Sequence, residues 1–182
     1  MKRVLKWLLG SIALVLAVIV GGAYVLPGEA HVERHVVIAA TPAQVFAVAG
    51  FLHRFNDWSP WAAIDPATVY TFDGPESGVG QKLSWVSKNP NVGSGAQTIT
   101  GVKDNEQVVS AIDFGPRGKA LTTLTLAPAQ GGTGVTWRFD VTLSGIAERW
   151  CGLMFDRAIG GDFETGLRNL KTLVEKANPP TP

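Results

Sequence analysis

Val135-Thr136-Trp137-Arg138-Phe139-Asp140-Val141-Thr142-Leu143 alternates strictly, with large apolar side chains at every second position and polar ones between them. A period of two marks a strand with one face in a core and the other in solvent. Downstream the period changes. Trp150, Leu153, Phe155, Ile159, Phe163, Leu167, Leu170, Leu173 and Val174 recur at three- and four-residue intervals, an apolar helical stripe. Gly160-Gly161 interrupts it, so a break is expected there, with Asp162 opening the stronger half. A half-buried strand running into a long amphipathic helix predicts a sheet packed on one helix.

Upstream, short β-rich runs separated by turn residues predict an antiparallel meander: Thr68–Phe72, Gln81–Ser87, Ala96–Val102, Gln107–Phe114 and Ala120–Ala127. His31 to Ala39 reads as a further strand. Thr41-Pro42-Ala43-Gln44 then carries a helix start: Thr41 can cap, Pro42 suits the first helical position and Gln44 completes a capping box. That helix should end near Ala49 with Gly50 as its cap. A second short helix is expected over Phe51–Trp58, stopped by Ser59-Pro60.

The N-terminus is of a different kind. From Trp7 to Leu26 there is no Asp, Glu, Lys or Arg, and Lys2, Arg3 and Lys6 precede the stretch. Twenty helical residues at ~1.5 Å each span a ~30 Å hydrocarbon layer. Trp7 and Tyr24 sit near its ends, and Pro27-Gly28 stops it. The basic flank predicts a cytoplasmic N-terminus, with the residues after Pro27 on the far, periplasmic side of the inner membrane. A cleaved signal peptide is the competing reading, favoured by small residues near Ala23 and Ala30 and opposed by the length of the apolar run. Three units are therefore expected: an anchor over 1–28, a domain over 29–178 and a disordered tail over 179–182.

Composition excludes several classes. Net charge is +1 and no long basic run occurs, which argues against nucleic acid. Of 16 basic residues, three flank the apolar stretch, leaving 13 against 15 acidic ones in the remainder. One cysteine, Cys151, rules out an internal disulfide or a multi-cysteine metal site, and it reads as a buried apolar filler. His31 and His35 would lie about 13 Å apart on one strand face at ~3.3 Å per residue, too far to share a metal ion. Catalytic signatures such as Gly-x-Ser-x-Gly, His-Glu-x-x-His and the phosphate loop are missing. Asp57, His53 and Asp113 have no partner fixed by sequence, and Arg138 with Asp140 reads as a solvated ladder. No catalytic residue, metal or cofactor is therefore assigned.

The aromatic residues are the candidates. Trp58 and Trp61 fall where the short helices hand over to the sheet, either as the rim of a cavity or as a packed plug. Leu83 with Trp85, and Trp137 with Phe139, share strand faces that point inward, and Phe163 faces them from the helix. They either line a pocket or fill it.

The stretches Val36–Phe46, Phe55-Asn-Asp-Trp-Ser-Pro-Trp61 and Gly161–Glu175 resemble the START-like helix-grip superfamily, the SRPBCC group, in its polyketide cyclase/dehydrase-like branch. The resemblance covers roughly residues 32–176. It implies an α+β fold in which a curved antiparallel sheet of six to seven strands wraps a long C-terminal helix, with two short helices after the first strand. It also implies a hydrophobic small molecule or lipid in the cavity between sheet and helix. A cyclase or dehydratase and a protein-interaction module with a filled cavity are the alternatives. The charge pattern makes a topological prediction: protease added to intact spheroplasts should digest residues 29–182. Protection until the membrane is lysed would reverse the orientation.

Overall fold

The structure is a computed structural model that describes residues 2–179. It opens with α1 (Lys2–Val25), whose stretch Lys6–Val25 is long and apolar enough to cross a membrane. Then come β1 (Glu29–Ile38), α2 (Pro42–Ala49), a 3-10 helix (Leu52–Asp57) and α3 (Pro60–Ile64). Six strands follow: β2 (Val69–Asp73), β3 (Lys82–Val86), β4 (Ser94–Lys103), β5 (Gln107–Asp113), β6 (Lys119–Ala129) and β7 (Gly132–Thr142). Two helices close the chain, α4 (Ile146–Gly152) and α5 (Phe155–Ala177). Of the expected tail at 179–182, only Pro179 falls among the described residues.

All strands join one antiparallel sheet in the order β1-β7-β6-β5-β4-β3-β2. The meander from β2 to β7 pairs consecutive strands, and β1 returns beside β7 with Glu29 opposite Thr142 and Ile38 opposite Thr133. The alternation in β7 is realised as read: Val135, Trp137 and Phe139 are buried, and Arg138 is exposed. One bulge interrupts β4 between Ile99 and Gly101. Bulges of this kind sharpen local twist and help a sheet curl.

Helix α5 lies along β1. Its residues Phe163, Leu167, Leu170 and Val174 recur at helical spacing, and each is at most 2% exposed. The capping box at Thr41 forms with both of its bonds, and Gly50 caps α2 by donating its N–H to the Phe46 carbonyl. Gln81, fully buried, accepts the Leu52 backbone N–H at 3.0 Å, which ties the 3-10 helix to the start of β3.

Several expectations are corrected. The second short helix is a 3-10 helix ending at Asp57, and Pro60 opens α3 instead of stopping a helix. Proline lacks an N–H, and the first helical position does not need one. The break in the C-terminal helix falls at Leu153–Met154, and α5 runs unbroken through Gly160-Gly161. Gly160 serves a close approach: a Cβ there would strike the Arg34 guanidinium, which bonds Asp156 and Glu164, both at 2.7 Å. Those bonds, the one to Asp156 foremost, raise the Arg34 pKa above its ordinary value. Trp150 and Leu153 leave the buried stripe and face outward, and Cys151 is exposed and fills no core.

Leu170, 0% exposed, sits mid-stripe. Leu170→Asp puts an unpaired carboxylate into a dry interface and should cost several kcal/mol, enough to unfold a marginal domain. An unchanged denaturation midpoint would show that this helix face is not buried in solution.

Candidate functional site: an apolar cavity under the C-terminal helix

The curled sheet outreaches α5. The helix covers β1 and meets β7 where Trp137 stacks on Phe163, with centroids 4.0 Å apart and planes 28° apart. Beside that stack lies a cavity of about 370 Å³, within the range of small-molecule sites. Phe155, Ile159 and Phe163 form its α5 side. Trp85, Ile112, Phe139 and Val141 form the sheet side, with Trp61 and Tyr70 toward the short helices.

Trp61, Leu83, Trp85, Trp137, Phe139 and Phe163, six of the seven residues singled out from sequence, line this space. Trp58 does not. It is 3% exposed, packs edge-on against Phe55 at 4.9 Å and Trp137 at 5.0 Å, and borders a separate void of only about 20 Å³. It is a plug, and its indole N–H has no hydrogen-bond partner among the described residues.

Two glycines shape the aromatic walls. Gly95 lies opposite Trp85 in the β3–β4 register, and a Cβ there would come within 2.6 Å of the indole. The missing side chain lets Trp85 lie across the neighbouring strand, edge-on to Phe114 at 6.0 Å. Gly166 does the same for α5. A Cβ on it would meet Trp137 at 2.9 Å and Pro60 at 3.1 Å.

The polar groups of the cavity were not legible as candidates. Gln97 and Thr122 are inward-facing and buried, and Thr122 accepts the Trp137 indole N–H at 2.8 Å. Burial, ahead of other causes, raises the pKa of the Tyr70 phenol above its usual value. The solvent-exposed lining residues are Asn91, Arg117, Gly118 and Lys119, from the β3–β4 and β5–β6 connections, so the mouth lies there. Lys119 pairs with Asp113 at 3.4 Å, and Arg117 lies against Gly93 at the rim. Among the described residues, no carboxylate, imidazole or thiol lines the cavity.

A larger hollow of about 1300 Å³ occupies the opposite face of the sheet, lined by charged and hydroxyl side chains such as Glu33, Lys82, Thr98 and Thr123. Aliphatic side chains such as Ala111 and Leu121 are interspersed among them, and the hollow is more open to water than the cavity under α5. On that face His31 and Arg138 both contact Asp140. The Arg138 bond, then the His31 contact, hold the Asp140 carboxyl below its usual pKa. This is the solvated ladder read from sequence, extended by His31. Among the described residues no cluster of His, Cys, Asp and Glu is arranged to hold a metal.

A seven-stranded sheet gripping a C-terminal helix around an apolar cavity defines a helix-grip protein. The chain belongs to the polyketide cyclase/dehydrase and lipid transport family, whose model matches residues 29–175. Solved structures share the fold at low identity. A Staphylococcus aureus protein of unknown function is 13% identical with a TM-score of 0.63, over 84% of this chain and 97% of its own. A Chromobacterium violaceum protein is 20% identical with a TM-score of 0.55, over 80% and 96%. The di-domain ARO/CYC StfQ of the steffimycin biosynthetic pathway is 11% identical with a TM-score of 0.61, over 82% of this chain and 51% of its own. No curated protein matches the chain at a significant level.

The glycines give a paired prediction. Gly166→Val overpacks the contact with Trp137 and Pro60 and should cost about 1–3 kcal/mol. Gly161→Ala, with nothing within 4 Å of its Cβ, should stabilise by about 0.5–1 kcal/mol through helix propensity. Denaturant melts of the two variants should move in opposite directions. Equal shifts would mean that α5 is not seated on Trp137.

Proposed function

We propose that residues 29–178 form a binding domain for a hydrophobic small molecule or lipid, held at the inner membrane by the anchor in residues 1–28. Residues 29–178 then lie on the periplasmic side. The lining of the 370 Å³ cavity carries this reading: its walls are aromatic and aliphatic, and its few polar groups sit deep or at the mouth. A cyclase or dehydratase is disfavoured by the same lining. General acid–base chemistry on a reactive chain calls for a group that exchanges protons near neutral pH within reach of the substrate. Among the described residues the cavity offers no carboxylate, imidazole or thiol for that part, and burial raises the Tyr70 phenol further above neutrality. A filled interaction module is disfavoured by the volume itself.

Arg117 and Lys119 at the mouth suit an amphiphile, with its chain inside and an anionic head at the rim. Burying about 300 Å² of ligand yields a gross gain of about 7 kcal/mol at ~25 cal/mol per Å², which association costs reduce to micromolar affinity.

Titration of the purified full-length chain with fatty acids, phospholipids and polycyclic aromatics should give a saturable change in Trp emission. Trp85→Leu should weaken binding about tenfold, the equivalent of ~1.4 kcal/mol. Ile112→Trp, which projects a larger ring into the cavity, should weaken binding while the fold is retained. A long-chain fatty acid should bind more tightly than the matching alcohol, and Arg117→Gln should remove that difference. No saturable response to any of these ligands would sink the proposal.

A further inference from the structure

The exposed side of α4 is apolar. Ile146 is 41% exposed, Trp150 38%, Leu153 60% and Met154 65%, spaced on one face of the helix and the turn after it. The charges of α4 point elsewhere. Glu148 accepts the backbone N–H groups of Ser144 and Gly145 at the helix's own N-terminus. Arg149 donates to the carbonyls of Ala23, Leu26 and Leu143.

This apolar face is fixed to α1 at a definite height. The Trp150 indole donates to the Ile19 carbonyl at 3.0 Å and rests on Gly22, where a Cβ would come within 2.6 Å of the ring. Ile19 lies seven residues before Leu26, about 10 Å along the helix at ~1.5 Å per residue. If α1 spans the membrane, Trp150 therefore lies about 10 Å inside the outer end of the apolar span, the depth to which an interfacial helix sinks its apolar face.

The register puts the cavity mouth at the same end. Glu29 pairs with Thr142, Val141 with Ala120, and Ala120 with Ile112. The start of β1, the end of β7 and the β5–β6 connection bearing Arg117 thus share one end of the sheet. Phe155 and Ile159 of the cavity wall come directly after α4.

We infer that α4 and the Leu153–Met154 turn are a membrane-docking element seated in the leaflet that receives the C-terminal end of α1. It holds the cavity mouth against the bilayer. The contact is apolar, since the exported part carries no net positive charge to draw it to anionic lipid. The inference rests on the anchor reading, and the experiment separates the two.

Cys151, the only cysteine, is exposed on α4 and takes a fluorescent label in the full chain reconstituted into phosphatidylethanolamine–phosphatidylglycerol vesicles. In a Cys151→Ser background, Leu14→Cys reports on the anchor. Glu76→Cys reports on the opposite end of the sheet. Labels at positions 14 and 151 should be quenched several-fold more by lipid-borne nitroxide than by aqueous iodide, and the label at 76 the reverse. Leu153→Asp with Met154→Asp should shift the 151 label toward iodide and leave that at 14 unchanged. A 151 label reached by iodide, or by neither quencher, while 14 meets lipid overturns the docking and leaves the anchor standing. A 14 label reached by iodide overturns both.

Discussion

The stack of Trp137 on Phe163 sets the distance between helix and sheet, and the rest of the architecture depends on it. Offset aromatic pairs contribute about 0.5–1.5 kcal/mol beyond their buried area. Here the pair also acts as a spacer, because Gly166 removes the side chain that would hold α5 further away. With the helix pinned on β1 and β7, it cannot also cover β3 to β5. The short helices close part of that face, Trp58 blocks the gap between them and β7, and the remaining volume is the cavity.

Features carried by local pattern were legible in the sequence. The alternation of β7 and the stripe at Phe163, Leu167, Leu170 and Val174 each contain their own periodicity, and the Thr41–Gln44 box names its own bonds. Inward-facing aromatics on β3 and β7 came from the same alternation, which is why Trp85, Trp137 and Phe139 were identifiable before any contact was known. Features that depend on a distant partner were not. Gly160 looks like a helix breaker until Arg34 is placed beside it. Trp150 and Leu153 satisfy a helical period, yet Trp150 rests on α1 and Leu153 is exposed. Tyr70, Phe114 and Gln97 come from strands whose mutual register no single stretch reveals.

The polar groups at the cavity divide between its interior and its opening. Inward-facing Thr122 takes the Trp137 indole N–H, whereas the indole N–H of Trp58, packed outside the cavity, has no partner among the described residues. Arg117 stays at the rim, where its charge remains hydrated. The interior is thus apolar by composition, and the charges that bear on a ligand act only at the opening.

The register of β1 has a kinetic consequence. The first strand of the domain has no neighbour in the sheet except β7, the last strand, and α5 packs along β1 as well. During synthesis the segment from Glu29 to Ile38 therefore emerges early and waits for almost the whole domain before it can pair. Such long-range closure is slow, and unpaired strand edges invite misassembly in the interval.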